Sequence, residues 1–269
     1  MIRQTRNGLV FYQFESLLRQ PEILHAVFTR LGGTSQGPFA SLNVGQLVGD
    51  DVQAVRMNHR RIFTSLGIPA NQVVTARQVH GANVAIVGTG QRGTIVPSTD
   101  ALLTQSHDFY LLMRFADCLP LMLYDPVRSA IALVHCGWRG LLAGVIRNAI
   151  QALQRTLGTR PADVFAALGP AIGPCCYEVG PDLAQRVCQE FERSDDLLRP
   201  QADGRLFFDL PGAVRAQLLL LGVNQIEDSA LCTACRTDEF FSYRAEAGRT
   251  GRFAALIGLL GAATASGTH

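Results

Sequence analysis

No run of five basic residues occurs anywhere in the 269 positions, and lysine plus arginine outnumber aspartate plus glutamate by only 24 to 22. A net charge of +2 creates no field suited to gathering nucleic acid or an anionic membrane surface. Long hydrophobic runs are also missing: the longest, Phe253–Ala265, falls well short of the ~18–20 apolar residues that span a bilayer. The stretch Met1–Leu18 lacks the form of an export signal, because Arg3, Arg6 and Glu15 interrupt it and its apolar patch is confined to Leu9–Phe11. No internal repeat or low-complexity linker divides the chain, so one domain over residues 1–269 is expected. Histidine is sparse, six in all. Cysteine is not: there are seven, an odd number, which without an export signal points to free thiols in a reducing compartment. The expectation is a soluble cytoplasmic protein that binds neither nucleic acid nor membrane, with its oligomeric state left open.

The stretch richest in chemistry runs from Ala116 to Gly140. Two apolar runs, Leu119–Tyr124 and Ile131–Val134, flank Asp125, Pro126, Val127 and Arg128, and read as two strands joined by a turn. Centring the turn between Pro126 and Val127 places Cys118 directly opposite His135, where Cβ atoms of an antiparallel pair stand about 4.5–5.5 Å apart. That is close enough for a shared metal ion or a thiolate–imidazole pair. A loop of odd length would put the two side chains on opposite faces.

Around this hairpin the coarse pattern alternates strands with a few helices. One or two strands are expected in Met1–Glu15 and another at His25–Arg30, then a Gly/Ser/Pro-rich loop over Leu31–Asn43. Asp50 or Asp51 caps a helix over Val52–Leu66, which Gly67 and Pro69 stop; His59 beside Arg60 and Arg61 reads as part of its exposed face. Gln72–Val79, Val84–Val87, Asp100–Thr104 and Phe109–Phe115 read as strands, with His107 facing solvent in a turn. Leu141–Leu157 has the period of an amphipathic helix, ended by Gly158 and Pro161. Beyond it come a strand at Val164–Leu168, helices at Pro181–Arg193 and Pro211–Gly222, Phe207–Leu210 between them, and strands at Asn224–Asp228 and Arg252–Leu260. Mixed strands and helices with an antiparallel hairpin indicate mixed sheets covered by helices, an α+β fold. His25 reads as structural.

Several constellations compete for function. Cys118 and His135, completed by His80 at the strand end Gln78-Val-His-Gly81, supply the three protein ligands of a catalytic zinc site with its fourth position open. Without a metal, Cys118 and His135 are a cysteine-hydrolase dyad. The pair Cys232-x-x-Cys235 with adjacent Cys175-Cys176 departs from the double C-x-x-C spacing of four-cysteine zinc sites and reads as free thiols lining loops. The H-x-E and P-C-x-x-C signature of zinc base deaminases is missing, so that fold is excluded. Arg139 and Gly140 open the expected helix at Leu141, a place for phosphate or carboxylate, to which Arg77, Arg139 and Arg244 add guanidinium donors. Tyr243 is a candidate for stacking on a flat ring, while Trp138 reads as core.

The chain resembles the YfiH family, also called the laccase-domain or polyphenol oxidase family and now linked to purine nucleoside phosphorylase activity. The motifs that carry the resemblance are Gln78-Val-His-Gly81, Asp117-Cys-Leu-Pro120, Val134-His-Cys-Gly-Trp-Arg-Gly140, the run from Gly169 to Gly180, and Phe240-Phe-Ser-Tyr-Arg244. Asn43 in Ser41-Leu-Asn-Val-Gly45, Gly49-Asp-Asp51 and Thr250-Gly-Arg252 fit as well. The resemblance implies an αββα sandwich and a zinc on His80, Cys118 and His135, with copper also acceptable to such ligands. It further implies phosphorolysis of adenosine, inosine and methylthioadenosine, adenosine deamination, and Asn43 among the substrate-binding residues. An alternative is a Cys-His hydrolase or amidase acting on peptidoglycan precursors. The older oxidase label fits poorly, since multicopper centres use many more histidines than six. Cys136 departs from the family's usual alanine and is a second candidate sulfur donor.

Overall fold

In the computed structural model, which describes residues 1–261, the chain starts as an antiparallel pair, β1 (Ile2–Arg6) and β2 (Leu9–Gln13). One helical turn, α1 (Glu15–Leu18), leads to β3 (Ile23–Phe28). Helix α2 (Val52–Leu66) begins at Asp51, whose carboxylate accepts from the amides of Gln53 and Ala54, and ends at Gly67 in the left-handed conformation, φ +68°. Strands β4 (Val73–Ala76), β5 (Val84–Ile86), β6 (Ile95–Val96), β7 (Ala101–Thr104) and β8 (Phe109–Phe115) precede the hairpin of β9 (Leu119–Asp125) and β10 (Ala130–Cys136). After it come α3 (Trp138–Leu142), α4 (Val145–Leu157), β11 (Phe165–Leu168), β12 (Glu178–Val179) and α5 (Pro181–Glu190). The chain closes with β13 (Leu198–Pro200), β14 (Leu206–Phe208), α6 (Leu210–Leu220), β15 (Gln225–Asp228) and β16 (Phe253–Leu259). The end of the apolar run Phe253–Ala265 lies outside the described residues, and among those described no helix is long and apolar enough to cross a membrane.

Two mixed sheets stack face to face. One has the order β1-β2-β3-β16-β8-β4-β6 and the other β15-β11-β9-β10-β7-β5, with a small third sheet β12-β14-β13 at the side. Alternation along the strands fills the space between the sheets: Leu111, Met113, Phe253 and Ile257 from one meet Leu102, Met122, Ile131 and Leu133 from the other. The opposite face of the first sheet, including Leu112 and Leu256, packs on Ile62 and Leu66 of α2. The opposite face of the second, including Leu121, Leu123 and Val134, packs on Ile146, Ile150 and Leu153 of α4 and Leu218 of α6. The layers are therefore α, β, β, α, as expected. The central strands of both sheets are buried on both faces, and this is why they read as continuous apolar runs. Each fully buried leucine or phenylalanine contributes about 1.5–3 kcal/mol.

The structure corrects three expectations that bear on the site. In the hairpin, Asp125 pairs with Ala130 and His135 with Pro120, so the register is two residues away from the one placing Cys118 opposite His135. The turn holds four residues because Asp125 Oδ1 accepts from the amides of Val127 and Arg128, and Ser129 takes φ +46°. A shift of two preserves the face, so Cys118 and His135 still share one side as diagonal neighbours. The helix expected over Leu141–Leu157 is two helices, broken at Gly144 with φ +85°. Its first piece, Trp138–Leu142, spans five residues, too few to supply the N-terminal anion site expected at Arg139–Leu141. His59 is not on an exposed face: it is half-buried, its Nε2 lies 3.2 Å from the Val44 carbonyl oxygen, and burial lowers its pKa to about 4.

Candidate functional site

The ends of β7, β9 and β10 open between the two sheets, and there the chain gathers Asp100, Cys118 and His135. His135 continues the inward row of Ile131 and Leu133. Its Nδ1 lies 2.8 Å from Asp100 Oδ1, so Nδ1 carries a proton and Nε2 faces Cys118. Asp100 is fully buried and does more than orient that ring. Its carboxylate also accepts the backbone amides of Val79 at 3.2 Å, His80 at 2.9 Å and Gly81 at 2.8 Å. These three bonds hold His80 at φ +60°, an uncommon conformation for a residue with a side chain, and turn its imidazole inward from the loop after β4. The His80 and His135 rings meet edge to face, 4.8 Å between centroids.

One ligand atom from each of His80, Cys118 and His135 lies within 4.8 Å of the others. Burial disfavours a Cys118 thiolate, but the two imidazoles outweigh it and hold the thiol below its ordinary value. Burial likewise disfavours charge on His135, and Cys118 and Asp100 reverse that, raising its pKa. A thiolate, two imidazoles and a buried carboxylate behind one of them suit a borderline-soft divalent cation with a position left open to the cleft. Gly137 protects this space: a Cβ there would stand 2.8 Å from Cys118 Sγ and 3.3 Å from His80 Cδ2. Cys136 is not part of the set. It points to the other side of β10, into the core beneath the helices, where burial keeps its thiol protonated.

The cluster lies at the floor of a cleft of about 650 Å³. Arg77, Arg139, Tyr243 and Arg244, which the sequence offered as candidates for binding substrate, all line it. Arg139 lies over the Trp138 ring, 4.5 Å from guanidinium carbon to centroid, and Trp138 is itself half-buried in the cleft wall rather than wholly in the core. Arg244 lies over Tyr177 at 5.2 Å and donates to the Glu178 carbonyl. Tyr243 is 54% exposed and available for stacking. Asn43 is elsewhere: it is fully buried and all its polar atoms are engaged, Oδ1 with the amides of Gly45 and Arg252 and Nδ2 with Asp50. It shapes the loop Gly45–Val48, which forms part of the cleft rim.

Sequence reasoning gave no role to Asp100, Asp117, Arg114 and Arg252, although Asp117 and Arg252 lie in motifs that carry the family resemblance. Asp117 precedes Cys118 at φ +81°, and its carboxylate accepts from Thr233 Oγ1 at 2.7 Å and the Arg244 amide at 2.6 Å, anchoring the loop that carries Tyr243. A carboxylate abutting an all-apolar strand, as Asp100 abuts Ala101–Leu103, was the available signal, because a charge there must find partners. Arg114 gave no comparable signal.

Comparison with known proteins bears on the family and the fold. A family model described as "Multi-copper polyphenol oxidoreductase laccase" matches residues 24–260. A protein of Geobacillus stearothermophilus named purine nucleoside phosphorylase YlmD is 39% identical over 240 residues, 86% of this chain and 88% of that one. A purine nucleoside phosphorylase of Bacteroides thetaiotaomicron is 33% identical over 249 residues, 89% and 92% of the two chains. The crystal structure of YlmD from Geobacillus stearothermophilus superposes with a TM-score of 0.90 at 35% identity, covering 96% of this chain and 98% of that one. Bacillus licheniformis hypothetical protein YfiH superposes at 0.88 and 33% identity, covering 94% and 96%. With sequence match and fold in accord, the chain belongs to the laccase-domain family that includes YfiH and YlmD.

Proposed function

We propose that this chain is a zinc-dependent purine nucleoside phosphorylase acting on adenosine, inosine and methylthioadenosine, with adenosine deaminase activity in the same cleft. The observation that carries the reading is the juxtaposition of His80, Cys118 and His135 with an arginine-lined, aromatic-walled cavity of about 650 Å³. The names of the relatives support it. Phosphorolysis breaks the bond from ribose C1′ to the purine nitrogen, forms one from C1′ to a phosphate oxygen, and protonates the departing base. Arg77, Arg139 and Arg244 supply guanidinium donors for the phosphate. Trp138, Tyr177 and Tyr243 offer ring faces to a flat base. Asp100 keeps the His135 proton on Nδ1, so that Nε2 remains a ligand. A bound zinc supplies Lewis-acid stabilisation of developing negative charge.

The oxidase description of the family is poorly served by this ligand set. Of the histidines in the described residues, His25 accepts the Phe14 amide, His59 faces Val44, and His107 faces the Leu260 carbonyl. Only His80 and His135 meet, too few for several copper centres. A single copper is acceptable to the same soft donor, so the metal found in a preparation does not by itself identify the reaction.

The test is chromatography of adenosine incubated with pure protein, with and without phosphate. Adenine and ribose 1-phosphate are expected with phosphate, and some inosine without it; neither product above a His80→Ala control would overturn the purine reading. A second reading, a metal-free thiol hydrolase acting on amide bonds of peptidoglycan precursors, is favoured by the order Cys118, His135, Asp100. It predicts inactivation by thiol alkylation but not by chelators, whereas the zinc reading predicts both.

A further inference from the structure

Four other cysteines converge outside this cleft. Cys175 and Cys176 sit on a tight turn in the loop 169–180, where the amides of Cys176 and Tyr177 both donate to the Gly173 carbonyl. Cys232 and Cys235 sit on a second turn in the loop 229–244, closed by the Arg236 amide on the Cys232 carbonyl. The two loops are already joined as neighbours, the Ala171 amide donating to Leu231 and the Thr233 amide to Ala171. All four sulfurs lie within 4.8 Å of one another, and Cys235 Sγ is 3.4 Å from both Cys175 Sγ and Cys176 Sγ.

The linear spacing that spoke against a metal site is answered by the turn. On a strand, adjacent residues point to opposite faces; on the turn at Gly173–Tyr177, both adjacent thiols reach one centre. A tetrahedral zinc with sulfur ligands at about 2.3 Å sets sulfur–sulfur edges at about 3.8 Å. The observed separations need only small side-chain rotations to meet that figure. All four are free thiols. The Gly173 amide donates to Cys232 Sγ at 3.2 Å, the kind of bond that favours a thiolate. Four thiolates at this spacing repel one another unless a cation lies between them. An iron–sulfur cluster would require the cysteines to stand farther apart, because iron and bridging sulfide lie between them.

We propose that Cys175, Cys176, Cys232 and Cys235 bind one zinc ion as a closed four-sulfur site that pins the loop 169–180 to the loop 229–244. With no position open to water, such a site is structural. Its place in the fold gives it a consequence, since Tyr177 follows Cys176 directly and Tyr243 and Arg244 end the second loop. The clip would fix one wall of the cleft.

The test uses the full-length chain with Cys118→Ala, free of affinity-tag histidines, purified under a phosphine reductant, stripped of metal and titrated with zinc and then cobalt. About one zinc per chain is expected. The cobalt form should show intense thiolate-to-metal charge-transfer absorption, and four thiols should resist alkylation until a chelator is added. Cys118→Ala/Cys232→Ser/Cys235→Ser should lose the absorption and the protection together; should it not fold, Cys118→Ala decides alone. The proposal is overturned if Cys118→Ala shows no thiolate–cobalt absorption and its thiols alkylate equally fast with and without zinc. A disulfide among the four in protein kept under reductant would overturn it equally. Because residue 118 carries no thiol in either variant, these readouts are independent of the metal assigned to the cleft.

Discussion

Gly137 and Asp100 set the limits of the cleft cluster in different ways. Gly137 has φ −88°, a conformation open to any residue, so its requirement is one of space alone. The Cβ of Gly137→Ala would press on Cys118 Sγ at 2.8 Å. We expect this variant to melt within a few degrees of the parent and yet to lose most of the metal bound in the cleft, as checked by calorimetry and metal analysis. A large fall in melting temperature would mean that the glycine serves the fold instead. Asp100→Asn keeps the size of the side chain but removes the charge facing His135 Nδ1, and it can supply only one carbonyl oxygen where three amides and a ring nitrogen now converge. Loss of such an outer partner typically costs about 10–100-fold in metal affinity. Competition with a coloured zinc chelator should show a loss of that size in Asp100→Asn, and an unchanged affinity would remove Asp100 from the site.

The hairpin β9–β10 is the element on which the cluster depends, and its turn is the sensitive part. Two side chains share a face only while the loop between Asp125 and Ala130 has an even number of residues, now four. Deleting Val127 alone should force either a one-residue slip, which turns His135 away from Cys118, or a strained turn; deleting Pro126 and Val127 together should keep the parity. The expected result is loss of cleft zinc in the single deletion and substantial retention in the double. Retention in both would mean that the strands, not the turn, set the register. This also shows how far the site was legible in the sequence. Cys118 and His135 could be picked out by type and parity, because a periodicity of two survives an error of two, and His80 by its place at a strand end before Gly81. The helix break at Gly144 could not, since Leu141, Val145, Ile146 and Ile150 keep their period across it. Asp100 escaped, and the four cysteines, though visible in the sequence, read as free thiols, for a common reason: their partners are 19 to 60 positions away in the chain and are brought together by loops, whose turns leave no periodic trace.

At the scale of the whole molecule, charge is distributed unevenly despite a net value of only +2. The sequence contains no lysine, so every basic side chain is an arginine, always charged and able to bind a phosphate with two parallel hydrogen bonds. Arg77, Arg114, Arg139, Arg244 and Arg252 all line the cleft, where among the described residues the only lining carboxylate is Asp117, already engaged by Thr233 and Arg244. A concave wall of one sign concentrates its field in the opening, so anions are drawn to the cleft although the molecule as a whole is nearly neutral. Phosphate carries charge and adenosine does not, and this separates the two reactions proposed for the cleft. Raising the ionic strength from about 0.01 M to about 1 M shortens the screening length from ~30 Å to ~3 Å. The KM for phosphate in phosphorolysis should therefore rise several-fold over that range, while adenosine deamination, with no anionic substrate, should change little. Arg139→Ala removes an exposed guanidinium that rests on Trp138 and, among the described residues, forms no ion pair with a carboxylate, so the fold should tolerate it. It should raise the KM for phosphate and flatten its salt dependence, with a smaller effect on deamination. Equal salt dependence in both reactions, unchanged by Arg139→Ala, would place the phosphate away from this arginine wall.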